Sequence, residues 1–121
     1  MERESLGIRV TTALSFAEAE HSVREALATE GFGILTEIDV SATMREKLGA
    51  EMPPYKILGA CNPSLAHRAL TIWHGFGVLM PCNVVIEDLG DRRIVTAFDP
   101  LGIAEVRDHP KMLPGATEVQ S

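Results

Sequence analysis

Apolar and polar residues follow two different periods along this chain, and each change of period marks a new element. Residues 6–12 alternate in a β-branched run, which predicts a strand, and Ser15-Phe16-Ala17-Glu18 then has the pattern of a capping box. Beyond it, apolar residues recur every three or four positions as far as Gly31, a residue type that often ends helices. The chain therefore begins with a strand followed by an amphipathic helix that lies on a core.

Two further strand and helix units follow. Residues 33–38 predict a short strand, and residues 41–48 predict a short helix that stops at a glycine. Residues 55–61 are apolar, lie between prolines and are too few for a helix, so they predict a third strand. Asn62 and Pro63 then suit the cap and the first turn of a third helix.

The next pattern along the chain is a hairpin. Residues 78–87 and 92–98 predict two strands, because Asp88-Leu89-Gly90-Asp91 between them suits a tight reversal. Residues 101–107 are compatible with a short helix, and the prolines and glycine beyond them predict a loosely held tail. We therefore expect one domain over residues 1–107 and a tail over residues 108–121.

The connection between the second and third strands limits the fold class. It barely reaches the ~10–12 residues that a parallel crossover requires. The order of elements thus favours an α+β fold, in which a single-layer, mixed and mostly antiparallel sheet carries its helices on one face.

Composition excludes several kinds of partner. The 121 residues carry a formal net charge of −6, which disfavours nucleic acid because binding to phosphates requires clustered basic residues. No apolar stretch approaches the ~20 residues of a membrane span, and the first residues lack the pattern of a secretory signal. We expect a cytoplasmic protein with neither a nucleic-acid nor a membrane partner.

The two cysteines are the leading candidates for chemistry. Each is followed by an asparagine and lies near a proline, in Gly59-Ala60-Cys61-Asn62-Pro63 and Leu79-Met80-Pro81-Cys82-Asn83. Cys61 precedes the third helix, where free amides and the helix dipole would lower the pKa of its thiol. If the third and fourth strands are neighbours, Cys82 could face Cys61, and the pair could close to a disulfide or hold a soft metal. Alternatively, both are small buried core residues.

Other polar residues are possible ligands with structural alternatives. His67 could add an imidazole to the thiols, although two thiols and one histidine leave a tetrahedral zinc site incomplete, and a solvent-facing histidine is the alternative. Glu37 and Asp39 could bind a hard cation from one side of their strand, or Asp39 could cap the following helix. Asn62 and Asn83 could donate hydrogen bonds to a ligand beside the thiols.

Three blocks of sequence within the first hundred residues form a pattern that can be compared with known families. They are Glu30-Gly31-Phe32-Gly33-Ile34-Leu35-Thr36-Glu37-Ile38-Asp39-Val40, then Tyr55-Lys56-Ile57-Leu58-Gly59-Ala60-Cys61-Asn62-Pro63 with Ala66 and Ala69-Leu70 beyond it, and Leu79-Met80-Pro81-Cys82-Asn83-Val84. In their order and spacing they resemble one uncharacterised family, domain-of-unknown-function family 302. The resemblance implies an α+β domain like that of the TATA-binding protein, and pairing as a homodimer. It implies no activity.

The chain departs from the family pattern in two places. Ile72-Trp73-His74-Gly75-Phe76 forms an aromatic patch where the family carries acidic residues or proline, and it is either a partner surface or added core. The end of the chain, Pro114 to Ser121, is too short for the family's final helix. The surface under that helix would then be exposed or covered by a second subunit.

Three functional hypotheses follow. The first is a homodimeric binding module with a small site, for a metal or a small molecule, bordered by Cys61, Asn62, Cys82 and Asn83. The second is a thiol-dependent enzyme or redox protein in which Cys61 attacks, Cys82 resolves and His67 or the helix end adjusts the thiolate. The third keeps both thiols inert and uses the edge from Trp73 to Phe76 to bind a protein. The sequence names no cofactor and no metal.

Overall fold

The structure, a computed structural model, describes residues 2–3 and 7–98. The short helix expected over residues 101–107 and the tail expected over residues 108–121 lie outside this part. The elements are β1 Glu2–Arg3, β2 Gly7–Thr12, α1 Phe16–Thr29, β3 Gly33–Asp39, α2 Val40–Leu48, β4 Tyr55–Cys61, α3 Pro63–Ile72, a 3₁₀-helix His74–Leu79, β5 Cys82–Asp88 and β6 Arg93–Phe98.

The strands form one sheet in the order β1-β2-β6-β5-β4-β3. Every described strand pair is antiparallel, including β3 with β4 on either side of the short helix α2. The α+β class with helices on a mostly antiparallel sheet is confirmed, and no parallel pair of a mixed sheet occurs in residues 7–98. No helix of the described chain has the length and apolar character that crossing a membrane requires.

Local capping signals in the sequence set the boundaries of the first two helices. The Ser15 hydroxyl accepts from the Glu18 amide and the Glu18 carboxylate accepts from the Ser15 amide, both at 3.1 Å, so the capping box is formed. The Asp39 carboxylate accepts from the Ala42 amide at 2.9 Å at the start of α2. This helix ends at Gly49, whose φ of 66° lies in the left-handed region.

The main core lies between α1 and one face of the sheet. Leu58 of β4 pairs with Val84 of β5, and both pack with Ile86 and with Ala19 from α1. Half-buried side chains surround this cluster: Phe16, Val23, Leu27, Ile34, Val95 and Ala97. Because burying one such aliphatic side chain stabilises a fold by about 1.5–3 kcal/mol, this contact fixes α1 on the sheet.

A second, smaller core lies at one end of the sheet, where α3 meets the 3₁₀-helix. Ala69 and Phe76 are buried there, with Leu70, Leu79 and Met80 packed against them. The sequence placed a strand over residues 78–87, but the 3₁₀-helix continues to Leu79 and β5 begins only at Cys82. The reason is that Phe76 buries itself against α3, and Pro81 has no amide to donate to a ladder.

This arrangement divides the aromatic patch expected at residues 72–76. Phe76 is 1% exposed and belongs to the core, whereas Trp73 is 40% exposed. The Trp73 ring lies directly over Gly75, where an added Cβ would come within 2.5 Å of it. Added core therefore accounts for Phe76, and the third hypothesis retains the exposed residues around Trp73.

Candidate functional site

Strand register brings the two cysteines together. In the ladder between β4 and β5, Ala60 is the partner of Cys82. Cys61 directly follows Ala60, so the two cysteines lie on neighbouring strands and are offset by one residue. Both cysteines are free thiols and both are half-buried. The two sulfur-bearing segments thus converge at one end of the sheet.

Both cysteines line a single cavity between this sheet end and α3. Phe32, Leu65 and Phe76 supply much of its apolar wall, and none of the lining residues is charged. Its volume is ≈ 20 Å³, about the space for one water molecule. Pockets for small molecules measure ~300–1,000 Å³, so this cavity matches a single ion or water better than an organic ligand.

The start of α3 holds Cys61 at the cavity. The Asn62 side-chain oxygen accepts from the Leu65 amide at 3.2 Å, and Pro63 occupies the first turn, as the sequence predicted. The Asn62 side-chain amide donates to the Glu30 carbonyl oxygen at 3.4 Å. Asn62 therefore lines the cavity, but its side chain joins the end of α1 to the start of α3.

The segment before β5 is packed closely against β4. An added Cβ at Gly59 would lie 2.0 Å from the Thr36 hydroxyl oxygen and 2.7 Å from Pro81 Cγ. The peptide between Met80 and Pro81 is cis. Only a glycine fits between these neighbours, and its absent side chain lets Pro81 lie against the strand that carries Cys61.

The Cys82 thiol is in an environment that disfavours its charged form. Burial raises the pKa of Cys82 to about 11, and negative charge on Cys61 contributes to the rise. At neutral pH Cys82 is therefore a protonated thiol. Within the redox hypothesis, it therefore suits the resolving role better than that of the attacking nucleophile.

Two of the expected ligands lie away from the cavity lining. His67 is exposed on α3, and its backbone carbonyl accepts from the Thr71 hydroxyl at 2.8 Å. Asn83 is exposed and lines a different groove together with Val78 and Phe98. Successive strand residues point to opposite faces, so Asn83 and Cys82 are separated although they are neighbours in sequence.

Glu37 and Asp39 belong to the other end of β3, where ion pairs and capping engage them. Glu37 pairs with Lys56 and Arg24, each at 2.9 Å. The hydrogen bond from Lys56 is the main reason why the pKa of Glu37 is lowered, and that from Arg24 is the second. The Ala42 amide, followed by the Ser41 hydroxyl, lowers the pKa of Asp39. These carboxylates thus have structural partners, as the capping alternative for Asp39 proposed.

The same ion-pair group connects α1 to the sheet. Lys56 also contacts Glu20 at 2.8 Å, and Arg24 contacts Glu20 at 2.9 Å. Burial alone would raise the pKa of Glu20, but hydrogen bonds from Lys56 and Arg24 outweigh it and the pKa is lowered. Two carboxylates and two cations balance one another, so the role of the group is structural: it holds α1 on the sheet.

The comparisons with known proteins agree with this architecture. A family model described as domain of unknown function DUF302 matches residues 8–121. The chain belongs to the DUF302 family. The crystal structure of an uncharacterised conserved DUF302 protein from Bacillus stearothermophilus is similar to it, with a TM-score of 0.86, 25% identity, and coverage of 95% of this chain and 90% of that one. Among curated proteins, none matches significantly.

In this DUF302 protein the cavity offers sulfur donors and little else. Within the described residues, no group of three or more His, Cys, Asp and Glu side chains could hold a metal ion, so these residue types form no tetrahedral zinc site there. Met80, which the sequence reasoning did not single out, also lines the cavity. Its position two residues before Cys82 is the sequence feature that could have indicated its place in the cavity lining.

Proposed function

We propose that this DUF302 protein is a binding module whose Cys61 and Cys82 thiolates together hold one soft metal ion. The observation that carries the proposal is the shared lining of one cavity by both free cysteines. Its volume of ≈ 20 Å³ favours an ion over the small molecule that the sequence left open. Thiolate ligands favour soft ions such as monovalent copper.

Charge supports the same function. No charged side chain lines the cavity, so two thiolates there would lack any protein counter-charge. A bound cation supplies that counter-charge, and both thiol protons leave to solvent as it binds. The metal would thus stabilise an ionised pair that the cavity otherwise disfavours.

Titration of the reduced protein under anaerobic conditions tests this function. We expect one Cu(I) ion per chain, measured against a chromogenic Cu(I) chelator, with a thiolate-to-metal absorption band in the ultraviolet. Cys61→Ser and Cys82→Ser should each lose that ion. His67→Ala, a change on the exposed face of α3, should retain it and serves as the control. Absence of binding by the parent protein, or binding by either serine variant as tight as that of the parent, would contradict the proposal.

Dithiol redox chemistry is the second candidate, and the shared cavity lining of the two free thiols favours it. Cys61 lies next to Ala60, the ladder partner of Cys82, which places the two cysteines on neighbouring strands. With a disulfide oxidant such as oxidised glutathione, Cys61 would attack one sulfur and release the first glutathione thiol. Cys82 would lose its proton, attack the Cys61 sulfur and release the second. Two protein thiols are oxidised and one glutathione disulfide is reduced.

Mass spectrometry distinguishes this second function. After equilibration in glutathione buffers, an internal disulfide lowers the mass by two hydrogens and protects both cysteines from alkylation. A protein that shows only singly glutathionylated species would exclude it. Anaerobic metal titration of the reduced form is independent of this result.

We also propose that the protein pairs as a homodimer, as the family resemblance implied. Apolar side chains that a partner could cover are exposed in the described chain, including Leu35 at 66% and Val78 at 88%. Light scattering should give about twice the chain mass of 13.1 kDa, and a monomer mass would contradict the proposal. The cytoplasmic location stays a prediction from the sequence.

A further inference from the structure

We infer that Met80 supplies a thioether as the third ligand of the Cys61 and Cys82 site, and that the site therefore selects monovalent copper. This inference rests on the metal-binding function proposed above. The inference adds a third ligand to that proposed site and names the metal that the site prefers.

The placement of Met80 is the first argument. Met80 is half-buried and lines the same cavity as both cysteines. Its backbone amide donates to the Gly77 carbonyl oxygen at 3.2 Å, which holds it at the end of the 3₁₀-helix. Its side chain also packs against the small core of Ala69 and Phe76.

The rigidity of the segment is the second argument. Pro81, which follows Met80, lies against Gly59 of β4, so close that an added Cβ there would be 2.7 Å from its ring. The segment that carries Met80 is therefore held between α3 and the strand that ends in Cys61. A donor on a held segment pays less conformational entropy on metal binding.

Donor chemistry is the third argument. Cys61, Cys82 and Met80 are the sulfur-containing residues of the lining, and no imidazole or carboxylate accompanies them. Thiolate and thioether donors select monovalent copper, whereas zinc takes four ligands from thiolate, imidazole and carboxylate groups. A zinc ion with two thiolates would need two further ligands, and a cavity of ≈ 20 Å³ does not hold the ion with two waters.

Charge also favours a monovalent ion with a neutral third donor. The two thiolates and one Cu(I) leave a single negative charge in an apolar cavity, and the thioether adds none. The lining carries no charged side chain, so each added negative charge in this cavity is costly. A third anionic donor would worsen that cost, so a neutral polarisable sulfur is the suitable partner.

Copper affinity and sulfur coordination test the inference. The probe is Cu(I) alone, measured by chelator competition and X-ray absorption on the reduced protein. We expect three sulfur neighbours in the parent protein, two in Met80→Leu, and affinity about tenfold or more weaker in that variant. Leucine preserves the side-chain volume, so packing changes little. Met44→Leu, on the exposed side of α2, is the matched control and should bind as the parent does.

The outcomes separate this inference from the proposed function. Cu(I) bound by the parent protein with only two sulfur neighbours, or equally well by Met80→Leu, would overturn the role of Met80 and leave the metal function standing. Zinc bound more tightly than Cu(I) would overturn the copper selection. A parent protein that binds no metal would overturn the proposed function itself. Because the sulfur count comes from the parent protein, the test survives poor folding of the variant.

Discussion

Cys61 and Cys82 line one cavity, and negative charge on Cys61 is one of two reasons why the Cys82 thiol resists ionisation. The larger reason is burial, which disfavours the thiolate in an apolar wall. Cys82 is therefore harder to ionise than an ordinary cysteine. This difference has consequences that thiol chemistry can measure.

Alkylation of Cys82 should require unusually high pH. In Cys61→Ser the negative neighbour is gone but the burial remains, so the pKa of Cys82 should still exceed the ordinary 9.0. We expect its rate of reaction with iodoacetamide to keep rising severalfold, up to about tenfold, from pH ~9 to pH ~10 because only the thiolate reacts. Mass spectrometry of quenched samples gives the rate. A rise of less than about twofold over this interval, as for a thiol with the ordinary pKa, would show that ionisation of Cys82 is not disfavoured.

Much of the fold could be predicted because its signals are local. The capping box at Ser15, the Asp39 and Asn62 caps and the glycine at position 49 each act within one helical turn, so the sequence alone displays them. The predicted start of β5 was wrong because it depends on the burial of Phe76 against Ala69, a tertiary contact that the local sequence does not display. An apolar run can be a strand or a short helix, and periodicity does not separate them.

The site was less predictable, for a different reason. Whether Cys61 meets Cys82 depends on the register of Ala60 with Cys82, which sequence spacing does not reveal. The exposure of His67, by contrast, follows from helical phase, since Ala66 and Ala69 mark the buried side. The separation of Asn83 from the cavity also follows from strand alternation.

Stability should fall with alkaline pH because of Cys82. Below pH ~9 its thiol is protonated in both the folded and unfolded chain, but between 9.0 and about 11 only the unfolded chain loses the proton. The free energy of unfolding therefore decreases as pH rises through this range, by about 1–2 kcal/mol after allowance for partial exposure. Urea unfolding at pH ~8 and pH ~10.5 measures the change. In Cys82→Ala, the free energy of unfolding should decrease less between these two pH values, because the thiol is absent. The same decrease as in the parent protein would contradict the assignment to Cys82.

Asn62 should stabilise the protein mainly as a helix cap. Asn62→Ala removes both the cap to Leu65 and the bond to the Glu30 carbonyl, and we expect a loss of about 1 kcal/mol in the free energy of unfolding. Asn62→Asp keeps an accepting oxygen for the Leu65 amide but loses the donor, so its loss should be smaller. Denaturant unfolding of both variants decides. Equal losses would assign the effect to the Glu30 contact.

Gly59 should tolerate no side chain, and the reason lies in two particular neighbours. In Gly59→Ala the added Cβ would lie 2.0 Å from the Thr36 hydroxyl oxygen and 2.7 Å from Pro81 Cγ, so we expect destabilisation of about 3 kcal/mol. Thr36→Ala alone should cost little because Thr36 is exposed on the edge strand β3. It removes the closer contact, so the double variant should be more stable than Gly59→Ala, although the Pro81 contact prevents full recovery. A double-mutant cycle by thermal unfolding measures this coupling, and simple additivity would show that Thr36 does not restrict position 59.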